Sequence, residues 1–330
     1  MMLSRVADAL YWTGRYVERT EQITRLLEET GTLLLDMGDL APEVQADLWQ
    51  LVAEVFQVPQ ASELTGEQLS RYLVYDATQV NSLISLISVA RENARTVRDV
   101  ISQEVWRHIN TLYWQVRQAD QATYSGFSEF YWSIFSSTQL FFGLAEDTIP
   151  HNVCHSMLMA GRYLERADKT LRIVARQTSL LEEKRWKDLP TALQNLNWLG
   201  LLKKCWCFEA YRKRYSSALD PQNVVGFLIL TDDHPRSVRY AVAQLLAHLQ
   251  RIVEEIEEHV AASPQPTLVG GRHLASLIRK VGRVASTLEY ADSPDLFRHG
   301  LARYLDDLIT QLIDIAGDLH KNLFLYETAA

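Results

Sequence analysis

The sequence predicts an all-α protein: a bundle of long helices with an internal duplication related by a pseudo-two-fold axis. Three observations carry this. Apolar residues recur at helical spacing along nearly the whole chain, strand signals are almost absent, and one polar motif occurs twice inside otherwise apolar helices. The motif is Gly14-Arg15-Tyr16-Val17-Glu18-Arg19, which returns as Gly161-Arg162-Tyr163-Leu164-Glu165-Arg166. The likeness continues beyond it, with Glu21 matched by Asp168 and Arg25 by Arg172.

In the first helix Val6, Leu10, Val17, Thr24 and Leu27 recur at three-, four- and seven-residue steps. Ser4 reads as its N-cap and Gly38 as its stop. Pro42 opens a second helix on Val44, Leu48, Leu51, Val52 and Val55, closed by Pro59. A short helix covers Glu67 to Tyr75, and a long one is expected from Asn81 to Gln118 on Leu83, Ile87, Ala90, Ala94, Val97 and Ile101. The next, Ser125 to Glu146, is crowded with aromatics, and Tyr124, Phe127, Tyr131 and Phe135 read as a core stripe. Pro150 stands where a first helical turn tolerates it and opens the second motif helix. Beyond a loop at Pro190 the pattern resumes through Trp198, Leu202, Trp206 and Tyr211. Asp220-Pro221 and Ser293-Pro294 each read as an N-cap followed by proline at the first helical position. Ala261 to Gly271, rich in proline and glycine, has the composition of a linker.

A second internal match supports the first. Glu92-Asn93-Ala94-Arg95-Thr96-Val97-Arg98 aligns with Asp233-His234-Pro235-Arg236-Ser237-Val238-Arg239 at an offset of 141 (236 − 95), close to the 147 (161 − 14) of the motif. Each half therefore reads as a motif helix, an excursion, and a further long helix beginning with an acid-x-x-Arg-Ser/Thr-Val-Arg element. The halves are residues 1–146 and 147–330, expected to form one intertwined unit.

The totals narrow the function. The chain has 330 residues, more than the ~250–300 at which a single core stops growing. Its 47% hydrophobic content excludes wholesale disorder, and its net charge of −8 argues against nucleic acid or an anionic membrane as partner. Cys154, Cys205 and Cys207 form no disulfide framework and suit a reducing compartment. Met1-Met2-Leu3-Ser4-Arg5 does not read as a secretory signal. The uncharged run Phe130 to Ala145 is too short and too polar for the ~20 apolar residues of a membrane span. A soluble, cytoplasmic protein is expected.

On a wheel of about 100° per residue, Arg15, Glu18 and Gln22 share a narrow strip beside Tyr11, hemmed in by Val6, Leu10 and Val17 on one side and Trp12, Ile23 and Leu26 on the other. Such a strip faces the bundle interior, where each charge needs a partner. The nearest counter-charges are Arg95, Arg98, Arg236 and Arg239 against Glu18, Glu21, Glu165 and Asp168. Arg15, Arg19, Arg162 and Arg166 complete the candidate ligand-binding set with Glu18, Glu165 and those arginines. Three readings stay open. The cluster is an ion-pair network that fixes helix register, or a grip on a peptide carboxylate or phosphate, or a set of acid–base carboxylates (Glu18, Glu21, Glu165, Asp168). The last is weakened by the arginines, which push carboxyl pKa values down.

Other chemistries find less support. The Glu-x-x-His mark of di-iron bundles occurs nowhere. His151 and His155 could share a face around Cys154, but a third ligand is missing, so no metal and no cofactor is expected. Cys205-x-Cys207 lies in a helical pattern and reads as packed thiols. Phosphate-cradling, dinucleotide and serine-hydrolase motifs are absent.

The chain resembles the bacterial alpha-E domain family, all-helical proteins long carried as a domain of unknown function. The resemblance runs essentially end to end. It rests on Leu3-Ser4-Arg5-Val6-Ala7-Asp8 leading into Tyr11-Trp12-x-Gly14-Arg15-Tyr16-x-Glu18-Arg19, and on Ala90-Arg91-Glu92-Asn93-Ala94-Arg95-x-Val97-Arg98-Asp99. Gly161-Arg162-x-x-Glu165-Arg166-Ala167-Asp168, Glu209-Ala210-Tyr211-Arg212 and Pro235-Arg236-Ser237-Val238 complete it. The family's genes lie beside those for circularly permuted ATP-grasp proteins and transglutaminase-like cysteine proteases. The resemblance therefore implies a non-enzymatic accessory module that holds the peptide substrate or a partner enzyme of such a system. The alternative is an enzyme of amide or peptide chemistry using the paired carboxylates with arginine clamps.

Overall fold

The computed structural model describes residues 4–38, 42–59, 63–118, 127–216, 219–261, 271–298 and 300–321, and every regular element among them is a helix. The first long helix, α1 (Ser4–Met37), ends at Gly38, whose φ of +69° is left-handed backbone that a side chain disfavours. The first excursion holds α2 (Pro42–Val55) and α3 (Gly66–Tyr75), the latter opened by a capping box between Thr65 and Gln68.

The helix expected from Asn81 to Gln118 is in fact two, α4 (Leu83–Thr96) and α5 (Gln103–Arg117). Val97 leaves helical geometry, and the Ser102 side chain caps the next helix by accepting from Val105 N. The apolar period runs through this break because Val97 is buried there, as Ala94 is before it and Val105 after it, so periodicity alone could not register the interruption.

Two helices follow, α6 (Phe127–Thr148) and the second motif helix α7 (Val153–Glu182), which is capped by Asn152. Tyr131 and Phe135 of the aromatic stripe are buried, while Tyr124 and the Phe127 side chain lie outside the described residues. After α8 (Lys184–Lys187) come α9 (Thr191–Lys204) and α10 (Phe208–Tyr215). The expected continuous pattern is broken between them, where Trp206 adopts a φ of +56°. Cys205-x-Cys207 thus brackets a turn instead of lying in a helix, although both thiols are buried and burial pushes Cys205 up to about 11. The chain continues with α11 (Pro221–Leu230), capped by Asp220, then α12 (Val238–Ala261) and α13 (Gly271–Tyr290). It closes with α14 (Ser293–Arg298) and α15 (Leu301–Leu319). Most of the expected linker, residues 262–270, lies outside the described residues.

Helices α1 and α7 lie against each other at the centre. Around them, α1 packs on α4, α6 and α9, and α7 packs on α12, α15 and α2. The excursion helices α2 and α9 thus each rest on the motif helix of the opposite half. Two glycines permit the central approach. A Cβ on Gly14 would collide with the carbonyl oxygen of Leu158, and one on Gly161 with the carbonyl oxygen of Tyr11. Leu158 lies three residues before Gly161, as Tyr11 does before Gly14, so each helix offers the other the same surface.

Candidate functional site: a buried arginine–carboxylate seam

One helical turn beyond the glycines, the polar strip of α1 meets that of α7. Tyr11, Arg15, Glu18 and Gln22 are all buried, as the flanking apolar residues require. The pairing is reciprocal. Arg15 Nε donates to Glu165 Oε2 at 2.7 Å and Arg19 Nε to Glu165 Oε1 at 2.6 Å. In the opposite sense, Arg166 forks onto Glu18 at 2.7 and 2.8 Å, and Arg162 Nε lies 3.5 Å from Glu18 Oε2. Forked guanidinium–carboxylate bonds of this kind hold geometry as well as charge.

A third cation serves each carboxylate, and here the two sides differ. Arg236 Nη1 donates to Glu18 at 3.2 Å and its Nη2 lies 2.6 Å from Glu21. Glu165 receives Lys169 instead, with Nζ at 3.7 Å; the same ammonium donates to Asp168 at 2.9 Å. Further out, Glu21 pairs with Arg25 and accepts from Gln139, while Asp168 pairs with Arg172. Asn81 accepts from Arg19 at 2.8 Å, and the Pro235 carbonyl accepts from Arg166 at 3.2 Å. The outer guanidiniums rest on aromatic faces, Arg162 at 3.9 Å from the Phe142 centroid and Arg15 at 5.3 Å from that of Trp12.

The seam therefore unites Arg15, Glu18, Arg19, Arg162, Glu165, Arg166 and Arg236 with Glu21 and Asp168. The expectation for three arginines is corrected. Arg95 points to solvent, its side chain 59% exposed, and pairs only with Glu92. Arg98 stacks over Trp106 at 4.8 Å, and Arg239 donates to the Leu230 carbonyl and faces Asp232. The aligned segments diverge because Pro235 stands where the first copy has Ala94. Ala94 continues α4 and carries Arg95 outward with the helix. Proline lacks the N–H a helix interior needs and restricts the residue before it, so the second segment stays irregular until α12 and turns Arg236 inward. Arg95→Ala should consequently leave the urea midpoint unchanged within about 0.5 kcal/mol, as for an ordinary surface site.

Lys169, Asn81 and Gln139 belong to the seam and were not identified from sequence, whereas Gln22 was already on its strip. A signal existed for Lys169: it stands one motif offset beyond Gln22 (169 − 22 = 147) and reaches Glu165 as Gln22 reaches Glu18.

The seam is closed, and its cations hold Glu18, Glu165 and Asp168 below the ordinary carboxylate range. Glu18, Glu21 and Glu165 have no exposed side-chain surface. Burial by itself would raise the Glu18 carboxyl, but Arg166 and Arg236 overcome it and hold the group well below the usual range. Glu165 is likewise held low against burial by Arg19, Arg15 and Lys169. Burial, with Arg166 beside both, lowers Arg162 and Arg236 to about 10. Nearby, Lys204 is buried with Gln177 as its hydrogen-bond acceptor, and burial lowers it to about 8. A surface hollow of about 200 Å³ beside Tyr16, Val80 and Val89 does not reach any of these groups.

The depressed carboxyls make stability pH-dependent. A carboxyl lowered in the folded state contributes fully above its unfolded value of 4.5, and that contribution fades as pH falls toward the folded value. The urea midpoint should therefore hold from about pH 7 to about pH 5 and drop steadily below it, and Glu18→Gln should flatten that drop.

Fold and seam together define a class: an all-α bundle protein whose two central helices are tied by a buried arginine–carboxylate seam. A family model described as Alpha-E, a predicted alpha-helical domain with a conserved ER motif, matches residues 2–324, and the chain belongs to that family. The Glu-Arg dipeptide occurs twice, as Glu18-Arg19 and Glu165-Arg166, both inside the seam. No curated protein and no solved structure matched the chain. Among the described residues no helix is long and apolar enough to cross a membrane.

Proposed function

We propose that this chain is a non-catalytic helical module of an ATP-grasp and transglutaminase-like peptide-modification system, binding the peptide or a partner protein. The seam is its internal brace. The observation that carries this reading is chemical: the four motif carboxylates are buried and clamped by cations, and those of Glu18, Glu165 and Asp168 are held below the ordinary carboxylate range. A general acid needs a raised pKa and access to substrate; all four lack the access, and Glu18, Glu165 and Asp168 are shifted the opposite way. Lys204, with its lowered pKa, is 1% exposed and equally out of reach. The reciprocal contacts at a constant offset also support descent of the two halves from one duplicated unit. The partners follow from the family resemblance.

A second reading has one observation in its favour. Eight cations (Arg15, Arg19, Arg25, Arg162, Arg166, Lys169, Arg172, Arg236) meet four carboxylates in the seam. Arg162 lies near the rim with a side chain 15% exposed, and its Nε lacks a hydrogen-bond partner. A peptide carboxylate docking there would use the surplus. Co-purification with an ATP-grasp partner, followed by assay with each component omitted, tests the module reading; turnover of an amide substrate by this chain alone would overturn it. Arg162→Gln separates the two readings, since only the second requires it to abolish peptide binding in a folded protein.

A further inference from the structure

We propose that Glu146, His151 and His155 form a zinc-class divalent metal site at the junction of α6 and α7. From sequence the two histidines lack a third ligand; the turn between the helices supplies it. Glu146 lies in the last turn of α6, and Asn152 caps α7 by accepting from Cys154 N and His155 N, which carries His155 back toward Glu146. One ligand atom from each of the three residues falls within 4.8 Å of the others.

The spacing suits the ion. Tetrahedral zinc with bonds of about 2.0–2.1 Å sets its donors roughly 3.3 Å apart. His155 Nε2 lies 3.0 Å from Glu146 Oε2, and His151 Nε2 lies 3.6 Å from Glu146 Oε1. The two rings stack at 4.3 Å with planes 17° apart, and His151 Nε2 also donates to the Glu146 carbonyl oxygen at 2.9 Å, so this half-exposed ring turns its nitrogen from the carbonyl to the ion on binding.

The His155 side chain is 2% exposed, so the site combines one buried ligand with two half-exposed ones. Burial also lowers the His155 pKa, which keeps the ring in the neutral form that ligates. Of the charges acting on His155, Glu146 favours a cation, whereas His151 and Arg251 oppose one; His248 packs edge-on at 5.8 Å. Two imidazoles and one carboxylate make three protein ligands, the number that leaves zinc a fourth position for water. Glu146 and His151, each 49% exposed, turn that position to solvent.

The test uses the full, tag-free chain, dialysed against chelator and titrated calorimetrically with Zn²⁺, with Co²⁺ as a visible reporter of four-coordination. One equivalent should bind with a Kd on the order of micromolar or tighter and raise Tm. Glu146→Gln and His151→Gln, both at half-exposed positions, should keep the wild-type helical spectrum. Each should weaken binding more than about 100-fold, beyond the loss typical of outer-shell changes. Unchanged affinity in both variants, wild-type binding no tighter than millimolar, or a site abolished instead by Cys154→Ala would each overturn the assignment.

Discussion

Gly14→Ala is expected to lower the unfolding free energy by about 3 kcal/mol or more, the upper end of what overpacking costs, and Gly161→Ala by a similar amount. Ordinarily alanine is the better helix former by ~1 kcal/mol, so the sign itself is diagnostic. At these two positions the new methyl meets a backbone carbonyl of the facing helix, Leu158 or Tyr11, and backbone cannot rotate aside as a side chain can. The helices must separate. That separation also lengthens the Arg15–Glu165 and Arg166–Glu18 bonds one turn away. Gly143 in α6 and Gly282 in α13 are the controls, since nothing lies within 4 Å of a Cβ at either. Alanine there should be neutral or stabilising by up to ~1 kcal/mol. Urea midpoints of the four variants give the comparison, and equal effects at Gly14 and Gly143 would remove the close crossing from the fold.

Glu18→Ala is expected to cost about 3–5 kcal/mol, the range for breaking a buried ion pair from one side. The loss arises less from the bonds removed than from what remains. Arg166 and Arg236, with side chains 3% and 8% exposed, would be left charged, desolvated and without their main acceptor. Glu165→Ala should cost somewhat less, because Arg15 and Arg19 are 11% and 14% exposed and can turn toward water. A double-mutant cycle with Arg166→Met should show coupling of roughly 1–3 kcal/mol, since removing both partners leaves fewer charges stranded. Chemical denaturation with helicity followed by circular dichroism measures all of these. A cost under about 1 kcal/mol for Glu18→Ala is the surface-pair value and would mean that water reaches the seam.

Neither expectation treats the seam as a source of net stability. Burying so many charges is expensive, and well-packed apolar residues often do as well. Its reciprocal geometry gives it a different consequence. Arg15 and Arg19 can reach Glu165, and Arg162 and Arg166 can reach Glu18, only when the two motif helices sit in one register. A slip of one turn would bury cation against cation.

Some of this architecture is set by local physics and is legible residue by residue. Helical periodicity specifies the class, the repeated hexapeptide marks the two central helices, and the apolar borders of the Arg15–Glu18–Gln22 strip require it to face inward. Gly38 and Asp220-Pro221 act where they stand, so their helix ends are readable too. Other features depend on which distant backbone arrives at a given place. Pro235 against Ala94 sends Arg236 into the seam and Arg95 to solvent, although the flanking residues match. Lys169 replaces a missing arginine, and Glu146 joins two histidines across a turn, because packing brought those atoms within reach. Period and motif thus determine which surfaces must be buried; the close approach at Gly14 and Gly161 decides which charges meet there, since charge pairing acts over a few ångströms that sequence spacing does not encode.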